Sequence, residues 1–438
     1  MTAPTLLLTP LQAAVPAAGG TLDLLVRLRA PQAPSQDAPP AAPKRLALVV
    51  DRSGSMDGEP LREALRCVEH IASHLSAQDQ LSLVVYDHQV QVLLPLQPMP
   101  GMDAVRRVLM GVDSGGSTDL HGGWLQGAQE LEGGVQGAVS RVILLSDGQA
   151  NHGLTDSQAI ETQCRDWLAR GVSTTTVGLG RGFNEELMIG MARAGGGQNY
   201  YGQTAADLYD NFDEELALIQ ALCLRQVALK LIPAPGVVVE MLSPAVALPD
   251  GSWRMNELAW GAESWLAVRL HLSPSASGAL RDLLAASVTA QTVEGMASTV
   301  TAPLLQLPAL EPGALAALPR DDTAHNRLEE LAFVQAAEAL QALLREGDTA
   351  ATTRALQALE QRFGDHPWLR AKIDRLRQLA KEDQVLMAKE VRYSRSRMSQ
   401  RLAPLEEIAF CMDETESQEM PAFLRKKVSE GHGKRGRG

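Results

Sequence analysis

The sequence predicts a doubly wound, mostly parallel α/β sheet inserted into a β-sandwich, followed by a helical C-terminal domain and a flexible tail. Three observations predict it. Four nearly continuous apolar runs, Leu46–Val50, Leu81–Tyr86, Val142–Ser146 and Val172–Leu179, alternate with amphipathic helical stretches, the pattern of parallel strands buried on both faces. Alternating strands with Pro-, Gly- and Ser-rich turns flank that block on both sides. From Asp322 onward the apolar period becomes helical.

Taken in chain order, Thr5–Thr9 and Thr21–Arg29 read as strands. In the second, Leu22, Leu24, Val26 and Leu28 alternate with Asp23, Arg27 and Arg29. The linker APQAPSQDAPPAAPK is too rich in proline for helix or central strand. The α/β block carries helical patterns at Pro60–Leu75, Leu120–Leu131, Asp156–Arg170 and Thr204–Leu222, with Gln89–Leu94 as an antiparallel edge strand. Leu224–Ile232, Val237–Leu242, Leu266–Leu272 and Leu284–Val293 read as the sandwich, completed by the two N-terminal strands. Helices follow over Ala324–Arg345, Thr349–Arg362 and His366 to about Leu402, broken at Glu346-Gly347-Asp348 and Phe363-Gly364-Asp365. The resulting division is 1–43 (strands and linker), 44–222 (α/β), 223–310 (sandwich), 320–403 (helices) and 404–438 (tail).

Composition narrows the function. With 438 residues and a net charge of −12, the chain is too long for one core and too acidic for general binding to nucleic acid or anionic membrane. Six Trp, five Tyr and six Phe leave little for base-stacking platforms. The four cysteines, Cys67, Cys164, Cys223 and Cys411, are widely spaced without a CxxC pair. No disulfide framework or zinc knuckle is expected, and Cys67 and Cys164 fall on apolar helix faces as core residues. The opening residues carry no basic charge before their apolar run, and no stretch reaches membrane-span length. A reducing, cytoplasmic setting is the expectation.

The chemistry lies in three loops. LALVVDRSGSM ends a buried strand and delivers Asp51, Ser53 and Ser55 to its carboxyl end, where open α/β sheets bind ligands. Gly115-Gly116-Ser117-Thr118-Asp119 precedes a helix, and Leu144-Leu145-Ser146-Asp147-Gly148 follows a strand. Carboxylates and neutral hydroxyls are hard oxygen donors, a set suited to Mg²⁺ or Mn²⁺ with water completing the shell. Glycines Gly54, Gly115, Gly116 and Gly148 allow the loops to crowd one ion. Asp119 reads either as the cap of the helix from Leu120 or as a support behind the site.

DxSxS at Asp51, Ser53 and Ser55, GGST ending at Thr118, and LLSDGQAN containing Asp147 together resemble a von Willebrand factor A domain and its metal-ion-dependent adhesion site. The resemblance covers about Arg45 to Leu222 and extends to Gly178-Leu-Gly-Arg-Gly-Phe-Asn184, after the expected fifth parallel strand. It implies that Ser53 and Ser55 bind the ion directly, that Asp51 and Asp147 act largely through water, and that Thr118 joins or leaves with conformational state. It also implies that a carboxylate of a protein partner takes the last position. The layout resembles inter-α-trypsin-inhibitor heavy chains and related bacterial proteins. A metal held by few direct carboxylates stays electrophilic, so an incoming Asp or Glu gains binding energy.

The expected function is therefore a non-enzymatic, divalent-metal-dependent protein-binding module, a scaffold or regulatory subunit. The alternative is a metal-assisted hydrolase activating water, for which His121 and His152 are the possible bases. His70 and His74 share a helix face in HIASH, but Ile stands where a zinc protease would carry its Glu, so they read as a surface pair. Gly178, Gly180 and Gly182 give GxGxG rather than GxGxxG, so nucleotide binding has little support. Met387 and Met398 read as packing residues, and Arg392, Arg395, Arg397 and Arg401 as a solvated face. Met420-Pro-Ala-Phe-Leu-Arg-Lys-Lys resembles the C-terminal docking peptides of bacterial cell-division tubulins. That resemblance makes the C-terminal helices and tail a possible second interaction surface.

Overall fold

The computed structural model describes residues 3–32, 43–133, 138–147, 150–179, 184–202, 205–346 and 349–366, with short stretches to 378 and residues 403–404. The linker over 33–42, Gly148, Gly180, Gly182, Met387, Met398, the arginines at 392–401 and the tail from 405 lie outside the described residues.

The chain opens with β1 (Thr5–Pro10) and β2 (Gly20–Arg29), which pair antiparallel. It then builds one compact unit, Ser35–Gln226 with Gln291–Met296. Its elements are β3 (Lys44–Asp51), α1 (Glu59–Ser73), β4 (Gln80–Tyr86), β5 (Val90–Pro98), α2 (Met102–Leu109), α3 (Leu120–Glu130) and β6 (Val139–Ser146). They continue with α4 (Ser157–Ala169), β7 (Val172–Leu179), α5 (Glu185–Ala194), β8 (Gly196–Gly202) and α6 (Ala205–Ala221). The sheet order is β5-β4-β3-β6-β7-β8, parallel throughout except where β5 meets β4.

Side-chain alternation explains why β3 and β6 are apolar at nearly every position. Leu46, Leu48 and Val50 of β3 face one core with Ile143 and Leu145 of β6, beneath α1, α2 and α6. Ala47 and Val49 face the opposite core with Val142 and Leu144, beneath α3, α4 and α5. A strand covered on both faces has no wet side to mark with polar residues. Helix α3 approaches the sheet closely because Gly127 has no side chain; a Cβ there would overlap Val49. The buried Arg141 guanidinium donates to Glu215 at 2.6 Å and to Ser173 at 2.8 Å, and Glu215 also accepts from Thr175 and Tyr200. This polar group on the sheet is satisfied by partners from several elements, as burial of charge requires.

Four elements of this unit depart from expectation. Val172–Leu179 is the fourth parallel strand in chain order, and β8 is the fifth. The β8 sequence, GGQNYYG, is glycine-rich and polar because it closes the sheet edge, so it carries no apolar run. Helices α2 and α5, absent from the expected helical stretches, are short, 8 and 10 residues, too brief to show a repeated apolar period.

The second unit comprises Met1–Pro34, Val227–Ala290 and Ala297–Gly438. Its strands are β9 (Leu222–Pro233, from Val227 onward), β10 (Val237–Met241), β11 (Ala262–Leu272), β12 (Leu280–Thr292, as far as Ala290), β13 (Ala297–Thr301) and β14 (Leu305–Leu310). β1, β2, β11 and β10 form one sheet in that order; β9, β12 and β14 form another. β12 begins at Leu280, four residues before the expected start at Leu284. The register of β2 with β11 brings Glu263 opposite Arg29, and Glu263 accepts from Arg27 at 2.8 Å and Arg29 at 2.7 Å. Helix α7 (Asp322–Glu346) packs Ala324 and Leu331 against Leu25 and Ala267. Its lower half meets α8 (Thr349–Phe363), where Phe333 and Phe363 cross edge-to-face at 5.5 Å.

Candidate metal centre

The site starts from the end of β3. Every residue of KRLALVVD is buried, so Asp51 reaches the carboxyl edge of the sheet held on all sides. Its Oδ1 accepts the Ser53 amide at 2.9 Å, turning the chain into a short helical turn, Gly54–Met56. Met56 is fully buried and anchors that turn before Pro60 opens α1. Oδ2 accepts the Ser146 hydroxyl at 2.6 Å and the Tyr86 hydroxyl at 3.2 Å.

Backbone hydrogen bonds stitch the second loop onto the first, and the third onto the second. The Gly54 amide donates to the Gly116 carbonyl at 3.0 Å, and the Gly115 amide to Arg52 at 2.9 Å. Thr118 donates its amide to Asn151 Oδ1 at 2.8 Å, while its carbonyl accepts the amides of Asn151 and His152. Asp147 accepts the Asn184 amide on its carbonyl at 3.0 Å. Asp51, Ser53, Thr118 and Asp147 are buried, whereas Ser55 is exposed.

Electrostatics point the same way. Burial pushes the Asp51 carboxyl above the ordinary aspartate value; hydrogen bonds from Ser146 and Ser53 pull against that, and the nearby Asp147 carboxyl adds to it. Burial likewise raises the Tyr86 phenol far above its usual range, leaving it a neutral donor to Asp51. A nearby cation would relieve the field that the two buried carboxylates exert on one another. The Ser53 and Ser55 hydroxyls lie 3.1 Å apart. Adjacent ligands of an octahedral magnesium with bonds of 2.0–2.1 Å stand about 2.9 Å apart. The residues therefore fit a hard divalent ion, with Ser53 and Ser55 able to hold it directly.

Asp119 settles as a cap: its carboxylate accepts the Gly122 amide at 2.9 Å. His121 turns from the loops and meets Gln163 at 2.9 Å, and His152 is exposed. Tyr86, Ser146 and Asn151 support the site without having been singled out in the sequence. Ser146 adjoins Asp147 and Asn151 lies in the same loop, but nothing local marks Tyr86, whose role depends on its register opposite Asp51.

Residues 46–214 match the von Willebrand factor type A domain family. Among curated proteins, an uncharacterized protein of Synechocystis sp. is 26% identical over 203 residues, covering 46% of this chain and 48% of that one. Uncharacterized protein YfbK of Escherichia coli is 27% identical over 174 residues, 39% of this chain and 30% of its own length. Human inter-alpha-trypsin inhibitor heavy chain H4 is 27% identical over 164 residues, covering 35% of this chain and 18% of that protein. The chain thus spans about half the length of the first relative and less of the others. Two solved structures share the fold across both units. The von Willebrand factor type A protein from Catenulispora acidiphila has TM-score 0.69 at 15% identity, covering 91% of this chain and 97% of that one. The ArnB paralog VWA2 from Sulfolobus acidocaldarius has TM-score 0.62 at 16% identity, with 91% and 99% covered.

Proposed function

We propose that this protein, which carries a von Willebrand factor type A domain over residues 46–214, is a non-enzymatic, divalent-metal-dependent protein-binding module. The observation that carries this reading is the pair of hydroxyls of Ser53 and Ser55, 3.1 Å apart, on the turn that the buried Asp51 carboxylate holds, with the charge of the buried Asp147 acting on Asp51. Asp51, Ser53, Ser55, Thr118 and Asp147 would hold Mg²⁺ or Mn²⁺. When bound, the ion supplies a Lewis-acidic position for a carboxylate oxygen of a protein partner.

The chain's own residues do the orienting. Tyr86 and Ser146 fix the Asp51 carboxylate, Asn151 fixes Thr118, and Met56 seats the turn that carries the two serines. Ser55, at the exposed rim, is where a partner would arrive. The hydrolase alternative loses support because His121 is engaged by Gln163. We assign the module to a reducing, cytoplasmic setting as a scaffold or regulatory subunit, in keeping with the burial of Cys67, Cys164 and Cys223. No helix among the described residues is long and apolar enough to cross a membrane.

The test is partner capture from lysate by wild type and Asp51→Ala, each with Mg²⁺ and with EDTA, identified by mass spectrometry. A partner retained only by wild type with Mg²⁺ is expected. Capture that is equal in all four conditions overturns the reading.

A further inference from the structure

A second group of metal-ligating side chains lies at the opposite end of α1. That helix runs from Glu59, just past the serine loop, to Ser73, and 15 residues of helix span about 22 Å. His70 sits in its last turn and His74 at its C-terminal cap, four residues apart and so on one face. Facing them is Asp213 of α6, which packs alongside α1.

His74 Nδ1 lies 2.8 Å from the His70 carbonyl oxygen. A carbonyl only accepts, so Nδ1 carries the proton and Nε2 of the neutral ring keeps its lone pair. That Nε2 is 3.8 Å from Asp213 Oδ1, and His70 Nε2 is 2.7 Å from the same oxygen. The His70 ring is itself oriented by stacking on Tyr209, one turn earlier on α6, with centroids 4.3 Å apart and planes 13° from parallel. Both imidazoles thus aim their Nε2 atoms at one carboxylate, and the three ligand atoms lie within 4.8 Å of one another.

We infer that His70, His74 and Asp213 form a zinc site that clamps α1 to α6. Ligands of a tetrahedral zinc with bonds of 2.0–2.1 Å stand about 3.3 Å apart. The distances of 2.7 and 3.8 Å to Asp213 fall on either side of that value, so side-chain adjustment alone suffices. Two imidazole nitrogens with one carboxylate select zinc or a similar borderline ion, whereas the all-oxygen set at Asp51 selects magnesium or manganese. On binding, the ion takes the place of the proton shared between His70 and Asp213, and that proton passes to solvent or to His70 Nδ1. The His74 Nδ1–H bond to the backbone is the outer support that such histidine ligands ordinarily have. The exposed edges of His74 and Asp213 leave the fourth position to water.

The test uses the full chain, stripped with EDTA, dialysed and then held in saturating Mg²⁺ so that the oxygen site is filled. Zn²⁺ is titrated calorimetrically into wild type, His74→Ala, Asp213→Asn and Asp51→Ala, with thermal melting and the visible spectrum of the Co²⁺ form as independent readouts. Wild type and Asp51→Ala should each bind one zinc, melt higher with it, and give a four-coordinate Co²⁺ spectrum. His74→Ala and Asp213→Asn should weaken binding by at least about tenfold and lose the rise in melting temperature. Equal zinc binding in all four, or none in wild type, reduces the group to an ion pair only and overturns the proposal. Loss confined to Asp51→Ala places zinc at the serine loop and overturns it as well. Because partner capture depends on Asp51 and zinc binding on His74 and Asp213, either reading can fail without the other.

Discussion

The Ser146 hydroxyl donates to Oδ2 of Asp51 at 2.6 Å, joining the ends of two neighbouring parallel strands. Asp51 lies fully buried at the carboxyl edge of the sheet, and the Ser146 hydrogen bond pulls its pKa down against the larger upward push of burial.

Ser146→Ala should therefore raise the Asp51 pKa further and weaken Mg²⁺ binding by about tenfold, a charged-group hydrogen bond being worth about 1.5–3 kcal/mol. Tyr86→Phe removes the longer bond of 3.2 Å and should cost less. Calorimetric Mg²⁺ titration, with circular dichroism to verify folding, measures both. Unchanged affinity in Ser146→Ala would show that this hydroxyl plays no part in tuning the site.

Gly116 sits at φ +74°, and a Cβ there would overlap the His88 imidazole. Gly116→Ala should destabilise the protein by about 1–3 kcal/mol and weaken Mg²⁺ binding, because the Gly54–Gly116 bond that ties two loops together must shift. Adding His88→Ala removes the overlap but not the positive φ, so recovery should be partial. Full recovery of the melting temperature in the double variant would locate the whole cost in the side chain.

Asp79 gives a pH signature. Burial alone would push its carboxyl up, but the Lys44 and Ser76 amides, the Ser76 hydroxyl and the Lys44 ammonium at 3.1 Å outweigh it and hold the carboxyl below the ordinary value. A depressed folded pKa contributes stability that is complete above the unfolded value of about 3.9 and lost as pH falls through the folded one. Asp79→Asn should cost about 1.5–3 kcal/mol at neutral pH, the range for hydrogen bonds to a charged group, with the gap to wild type closing below about pH 4. Urea unfolding across that range measures it; a gap that stays constant into acid would refute the assignment.

Cys67, Cys164 and Cys223 are buried, and burial raises each thiol, that of Cys223 to about 12 and the other two higher still. In a Cys411→Ser background, native protein at about pH 8 should resist a thiol reagent, while guanidinium-unfolded protein reacts at all three positions. Rapid native labelling would mean that at least one of these helices or strands opens readily.

Much of the domain could be read directly from residue order. β3 and β6 advertised themselves because a strand buried on both faces has no reason to alternate, and Asp51 ends β3 with Ser53 and Ser55 following within one turn. The convergence of the loops carrying Thr118 and Asp147 was legible because each begins or ends a regular element at the sheet's carboxyl edge. β8 was not, since an edge strand built from GGQNYYG lacks the apolar signal of its neighbours. Nor were Tyr86 and Ser146, whose hydrogen bonds to Asp51 arise from strand register across gaps of 35 and 95 residues. The pairing of His70 with Asp213 spans 143 residues and exists because α1 and α6 cover the same face of the sheet. Local periodicity records which way a side chain points along its own element; which distant side chain it meets is set by how the elements pack.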